Sequence, residues 1–142
     1  MKSIFERAEK RDISILSDPN VSLVKDNDGW TPLHLLAWKG KIEVLSHKDC
    51  SIIKDNSGWT PLHWLAEKGK IEVLSHKDCS LVKNNDGETP LHWLAREGKI
   101  EVSHLKKLFP WYKRKCKGKV TKEEITEILN TPNSIQYILE ED

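Results

Sequence analysis

This sequence of 142 residues has few cysteines, no long apolar run and almost no net charge. No apolar stretch approaches the length of a signal-peptide core or a membrane-spanning helix, so we expect neither export nor a membrane span. Three cysteines are an odd number, which fits a reducing cytoplasm better than a disulfide framework. A net charge of +1 offers no extended electrostatic footprint for nucleic acid. These absences favour one cytoplasmic domain.

A 29-residue unit recurs along the chain instead. Residues 26–54 and 55–83 are identical at 24 of 29 positions, a third copy begins at Asn84, and the same frame reaches back to Ala8. We divide the repeat array, residues 1–112, into a truncated first unit and three full ones: 1–25, 26–54, 55–83 and 84–112. A unit this short cannot bury its own apolar face, so the copies must stack into a solenoid that binds through an extended surface.

Each full copy opens with the signals of a helix start. Thr31 provides an N-cap oxygen, and Pro32 follows at the first helical position, where a missing N–H has no consequence. Leu33, Leu36 and Ala37 then recur at helical spacing and form one apolar stripe. The first helix of each unit should bury this stripe.

The rest of the unit predicts a turn and a second, much shorter helix. Gly40 is the expected C-cap, and the apolar residues of 42–45 begin the second helix. Residues 51–54 are expected to be extended, and 55–58 should form a turn stabilised by Asx side chains and a glycine.

Thr-Pro-Leu-His recurs in phase at 31–34, 60–63 and 89–92, each time two residues after a glycine, and this pattern resembles the ankyrin repeat. The family unit has about 33 residues, so the 29 here imply a second helix shortened by roughly one turn. The resemblance implies an all-α, helix-turn-helix solenoid with short turn or hairpin fingers. It also implies a non-catalytic scaffold that binds another protein through its concave face and turn tips. We expect the chain to be a monomer.

The positions that vary with the partner in this family define the expected binding surface. By that resemblance Trp30 and Trp59 point outward from the turn tips, whereas Trp64 and Trp93 pack between helices. The alternative is that Trp30 and Trp59 stack on each other and on neighbouring turns. The expected surface consists of Asn27, Asp28, Trp30, Trp38, Lys39, Asn56, Ser57, Trp59, Glu67, Lys68, Asn85, Asp86, Glu88, Arg96 and Glu97.

The recurring histidines His34, His63 and His92 invite a catalytic interpretation, which the sequence does not favour. No nucleophile or acid recurs beside them in a triad-like arrangement. The resemblance instead implies that each imidazole bonds the threonine hydroxyl and nearby backbone, and ties the turn to the helix. We therefore expect a protein that is not an enzyme.

A zinc site is a rival interpretation, because His47 with Cys50 and His76 with Cys79 form two pairs of suitable ligands. The equivalent positions in the outer units weaken it. The cysteine position holds Val21 and Leu108 in the first and last units, as expected of a buried apolar position. We expect no metal and no cofactor.

The C-terminal region separates its charges. Residues 104–122 contain eight Lys or Arg and no acid, whereas 123–142 contain six acids and no base. We expect a basic linker at 113–119 and a helical cap with an acidic end at 120–142. A capping-box pattern starts one helix at Thr121, and Thr131-Pro132 predicts a second. Such a cap would cover the apolar face of the last unit.

The basic residues support a second functional hypothesis. The linker, taken broadly as 106–122, interleaves cations with aromatic residues and could bind nucleic acid or an anionic surface. The competing interpretation is that the acidic cap neutralises the linker within the molecule. The candidate ligand-binding residues are Trp111, Lys113, Arg114, Lys115, Lys117 and Lys119.

Overall fold

The computed structural model describes residues 3–114 and 117–131, and across these residues it contains α-helices and 3-10 helices but no strand. The α-helices are α1 (Ile4–Glu9), α2 (Pro32–Trp38), α3 (Pro61–Glu67), α4 (Pro90–Arg96), α5 (Val102–Leu108) and α6 (Lys122–Leu129). None of these helices is long and apolar enough to cross a membrane. The predicted helix from Pro132, the acidic end and Lys115 lie outside the described residues.

The first helix of each full unit begins with a capping box in which histidine takes the place usual for glutamate. The Thr31 hydroxyl accepts a hydrogen bond from the His34 backbone N–H at 3.3 Å, and His34 Nδ1 accepts one from the Thr31 N–H at 3.1 Å. An equivalent capping box opens α3, and at the start of α4 His92 Nδ1 accepts a hydrogen bond from the Thr89 N–H at 2.9 Å. The predicted threonine caps are therefore confirmed, and the histidine is part of the cap itself.

The first helices stack in chain order, α1 on α2, α2 on α3 and α3 on α4. Leu33, Leu36 and Ala37 have no exposed surface, which confirms the predicted apolar stripe. The helix α6 packs on α4 in the place of a further unit and buries Ile125 and Ile128 completely. The last unit thus has its apolar face covered.

In the units 26–54 and 55–83, the second helix is a short 3-10 helix and not an α-helix. Residues Ile42–Ser46 and Ile71–Ser75 form 3-10 helices, and only the last copy has an α-helix, α5, at this point. The prediction of extended structure at 51–54 was wrong for its first half, since 51 and 52 lie in a turn. The N–H groups of Ile52 and Ile53 both bond the Asp49 carbonyl, and Ile52 is 64% exposed, so no buried face holds this segment extended.

The turn tips are bonded to each other along the array. The Asn56 backbone N–H donates to the Asp28 carbonyl at 3.0 Å, and Asn56 Nδ2 donates to the Asn27 carbonyl at 3.1 Å. This approach requires Gly29, whose φ is +79° and where a Cβ would lie 2.5 Å from Asn56 Oδ1. Consecutive tips therefore hold one another in place.

Candidate binding surface

The turn before each helix is built by an Asx side chain. Asp55 Oδ1 accepts hydrogen bonds from the backbone N–H groups of Ser57 at 2.9 Å and Trp59 at 3.0 Å. Asp26 and Asn84 bond the equivalent N–H groups of their own turns. The predicted Asx turns are confirmed, and they fix the backbone that presents Trp30 and Trp59.

Five tryptophans form a continuous row across the units. The ring centroids are 4.8 Å apart for Trp30 and Trp64, 4.3 Å for Trp59 and Trp64, and 4.6 Å for Trp59 and Trp93. Trp38 extends the row with an edge contact to Trp30 at 6.3 Å. Turn tryptophans therefore alternate with helix tryptophans along what we call the tryptophan row: Trp38, Trp30, Trp64, Trp59 and Trp93.

This arrangement differs from both interpretations of the turn tryptophans. Trp30 and Trp59 are half-buried, and each stacks on a helix tryptophan rather than on the other turn tryptophan. Trp64 and Trp93 pack against the core as predicted, but they remain half-buried and are not enclosed between helices. Trp64 and Trp93 contact the turn tryptophan Trp59, and the residues that follow them, Leu65 and Leu94, are the ones buried in the core.

The indole N–H groups of the two helix tryptophans have different surroundings. Trp64 Nε1 donates to Asp55 Oδ2 at 3.2 Å. The residue equivalent to Asp55 in the last full unit is Asn84, whose Nδ2 donates to Glu88 Oε1 at 3.3 Å. Within residues 3–114 and 117–131, the buried Trp93 Nε1 has no hydrogen-bond partner. The Trp64 indole N–H is therefore bonded to a carboxylate, whereas that of Trp93 has no equivalent acceptor.

A groove of about 420 Å³ lies between the turn tips of the units 26–54 and 55–83. It brings together part of the predicted surface and adds Asp55 and Trp64, which the sequence analysis did not include. Asp55 is the first residue of the turn. Trp64 occupies the position that Leu35 has in the preceding unit, and this change from leucine to tryptophan was the signal in the sequence that could have placed Trp64 on the surface. The lining residues are Asp28, Trp30, Asp55, Asn56, Ser57, Trp59 and Trp64.

The other predicted surface residues flank the row. Lys39 and Lys68 place their Nζ atoms 5.0 and 4.7 Å from the Trp38 ring centroid, and the Arg96 guanidinium lies 5.0 Å from that of Trp93. Glu67 and Glu88 are half-buried. The remaining predicted residues are exposed at the turn tips or helix ends: Asn27, Asn85, Asp86 and Glu97.

The recurring histidines join each unit to the next, which confirms their structural role. His34 Nε2 lies 2.9 Å from the Trp59 carbonyl, and His63 Nε2 lies 2.9 Å from that of Glu88. His92 bonds Thr126 Oγ1 of α6 at 2.8 Å. Burial lowers the pKa of all three imidazoles, that of His63 to about 4. Since Nδ1 accepts from a backbone N–H, each neutral ring carries its proton on Nε2 and donates to the next element.

The cysteines at the repeated position are buried, as expected of an apolar position. Cys50 Sγ lies 3.3 Å from His76 Nε2. The residue equivalent to His76 in the next unit is Leu105, so Cys79 has no imidazole at this position. Burial raises the pKa of both thiols to about 11, so they stay protonated near neutral pH. In the described part of the chain, no group of three or more His, Cys, Asp and Glu side chains could hold a metal ion.

The basic linker is partly engaged with the cap. The Arg114 guanidinium donates to both oxygens of the buried Glu124 carboxylate, at 2.9 Å from Nε and 3.1 Å from the terminal nitrogen. The predicted capping box at Thr121 is therefore only half formed: Thr121 caps Glu124 N–H at 3.1 Å, but the Glu124 side chain bonds Arg114 instead. Trp111 is half-buried against Phe109 and Tyr112. Exposed cations of the candidate anion site remain at Lys113, Lys117 and Lys119.

Comparisons with known proteins identify the repeats. Residues 42–110 match a family model for ankyrin repeats in three copies. A comparison with curated proteins found no match. Ankyrin repeats generally mediate protein–protein interaction and are typically non-catalytic. The family match and the stacked helices of the structure agree, and residues 42–110 of this chain belong to the ankyrin repeat family.

Proposed function

We propose that this chain is a non-catalytic scaffold that binds another protein across the tryptophan row and the turn tips, on the concave face of the array. The observation that supports the proposal is the row itself, in which half-exposed tryptophans contact one another across three units. Tryptophan is enriched among the residues that contribute most to binding energy at protein interfaces. The proposal also makes the chain a cytoplasmic monomer, and the free thiols of Cys50 and Cys79 fit a reducing compartment.

The rigidity of the surface supports this proposal. Ring stacking, Asx turns and the bonds between consecutive tips already hold the groove residues in position. Little conformational entropy of this surface would therefore be lost when a partner binds. The polar residues Asp28, Asn56 and Ser57 surround the rings in the groove, which is the arrangement of an apolar centre with a polar rim.

The proposal is tested by a substitution that fills the groove without disturbing the stack. Ser57 is exposed, lines the groove and uses only its backbone groups in the turn, so Ser57→Arg should fold normally. Lys48→Glu, at an exposed position outside the groove, is the matched control. We expect wild type and the control to retain the same protein in affinity capture from the native lysate, and Ser57→Arg to lose it.

The captured protein is then titrated against the purified variants by calorimetry. We expect Ser57→Arg to weaken binding at least tenfold at an unchanged melting temperature. Equal affinity of Ser57→Arg and wild type would show that the partner binds elsewhere, and the proposed surface would be wrong.

A further inference from the structure

A second groove, of about 380 Å³, lies at the C-terminal ends of the first three helices. Trp38, at the end of the tryptophan row, forms its exposed aromatic wall and is 39% accessible. The lining contains four basic side chains and no acidic one: Arg11, Trp38, Lys39, Gly40, Lys68 and Lys70. We call this the basic groove.

Its positive charge is only partly compensated. Lys39 pairs with Glu9 at 2.8 Å and Lys68 lies 3.7 Å from Glu67, whereas Arg11 and Lys70 form no ion pair within the described part of the chain. The carbonyl ends of the helices attract cations, which helps to explain why lysines gather here. Helix ends carry only partial charges, however, so the groove keeps an excess of positive charge beside an exposed indole ring.

The backbone of Arg11 provides an independent observation. Arg11 has φ +62°, and it is the only residue other than glycine with positive φ in the described part of the chain. The equivalent positions in the three full units are Gly40, Gly69 and Gly98, with φ of +81°, +75° and +71°. A side chain in this left-handed region is strained, and glycine would relieve the strain. The first unit therefore carries an arginine where the fold itself favours glycine.

We propose that the basic groove binds an acidic segment of the protein partner. The inference rests on the proposed function, because the segment belongs to the protein that binds the tryptophan row. Arg11 can bind a carboxylate through two parallel N–H groups, and Lys70 can bind a second one. An apolar side chain between the two carboxylates would pack on the exposed part of Trp38, beside the Nζ atoms of Lys39 and Lys68. The strained backbone conformation of Arg11 then has a functional reason, since this residue places a guanidinium in the lining of the groove.

The charge distribution favours a peptide over a nucleic acid. Glu9 and Glu67 pair with two of the four groove cations, so the uncompensated positive charge is confined to Arg11 and Lys70. A net charge of +1 leaves the rest of the molecule without the extended positive surface that phosphate binding uses. An acidic segment needs only the few cations of this groove.

The test uses a synthetic peptide of four Glu-Glu-Leu repeats and a control peptide of four Gln-Gln-Leu repeats. Each is titrated into the ¹⁵N-labelled full chain, whose indole N–H signals report on the tryptophans separately. We expect the acidic peptide to shift the Trp38 indole and the amides of 39–41 and to bind at least tenfold more tightly than the glutamine peptide. The Trp59 indole, in the other groove, should not shift.

Arg11→Gly separates binding from folding. The substitution relieves the backbone strain, so we expect a higher melting temperature together with at least fivefold weaker binding of the acidic peptide. Lys70→Gln should also weaken binding, and Lys48→Gln, outside the groove, should not. A variant that is more stable yet binds less cannot be explained by loss of structure.

Three results would overturn the inference. They are equal or absent binding of the two peptides, a stabilised Arg11→Gly variant with unchanged affinity, and tighter binding of single-stranded oligothymidylate than of the acidic peptide. The captured partner distinguishes the two proposals. If Ser57→Arg loses that partner while Arg11→Gly retains it at full affinity, the proposed function stands and the acidic-segment inference fails.

Discussion

The carboxylate of Asp55 should stabilise the fold through its Oδ2 atom, which accepts a hydrogen bond from Trp64, whereas Asp26 has no equivalent bond. In both turns Oδ1 accepts two backbone N–H groups. Asp55 Oδ2 also accepts the Trp64 indole N–H at 3.2 Å, whereas within the described residues Asp26 Oδ2 accepts no hydrogen bond, since Leu35 occupies the position of Trp64. Substitution to asparagine therefore removes a tryptophan contact at one site and none at the other.

The size of the effect follows from the geometry. Asparagine keeps Oδ1 on the two backbone groups, so its amide nitrogen must replace Oδ2 and face the Trp64 N–H, donor against donor. A hydrogen bond to a charged group contributes about 1.5–3 kcal/mol, and a buried donor left without an acceptor costs about 1–3 kcal/mol. Asp55 is 7% exposed, so water has little access to this site. We expect Asp55→Asn to lower the free energy of unfolding by about 2 kcal/mol.

Asp26→Asn is the matched control and should change the stability by less than about 0.5 kcal/mol. Both variants keep Oδ1 on the two turn N–H groups, so this shared contribution cancels. Asp26 is exposed whereas Asp55 is 7% exposed, so the difference reports the Trp64 contact together with its burial. The assay is urea unfolding followed by circular dichroism at neutral pH. The Trp64 indole proton, assigned by NMR, should also shift in Asp55→Asn and stay in place in Asp26→Asn.

Equal stabilities of the two variants would refute this reasoning. That result would mean that the Asp55 carboxylate does not fix Trp64 and that stacking alone positions the tryptophan row. An unmoved Trp64 indole signal in Asp55→Asn would lead to the same conclusion from a measurement that does not depend on unfolding.

The remaining predictions concern the last unit, the histidines and the cap. Asn84→Asp combined with Glu88→Gln should give Trp93 Nε1 an acceptor without pairing two carboxylates, and should raise stability in urea unfolding by about 1 kcal/mol. The unfolded state binds more protons than the folded state between pH 6.5 and the His63 pKa of about 4. His63 by itself should therefore make stability fall by about 3 kcal/mol as the pH drops through that window, and this contribution should be absent in His63→Gln. Ile125→Ala should destabilise the protein by about 2–5 kcal/mol in the same assay if α6 caps the array, and an unchanged melting temperature would contradict this.

The sequence by itself determined the features that depend on neighbours along the chain. The Thr-Pro caps, the glycine helix ends and the buried positions of Leu33, Leu36 and Ala37 are local signals, and each recurs in phase with the unit. These signals could be identified because a pattern that recurs every 29 residues distinguishes structural positions from variable ones. The structural role of the histidines followed from the family resemblance.

Only the tertiary structure decided how the tryptophans meet. Trp30 contacts Trp64, and Trp59 contacts Trp93, across 34 positions of sequence, and these distances depend on how far each unit is offset from the next. The pairing of Arg114 with Glu124 and the meeting of Arg11 with Lys70 in one groove likewise depend on stacking. A local pattern assigns a side chain to a helix or a turn. Which exposed side chains share a surface is determined by the packing of units against each other, because that packing brings distant parts of the chain together.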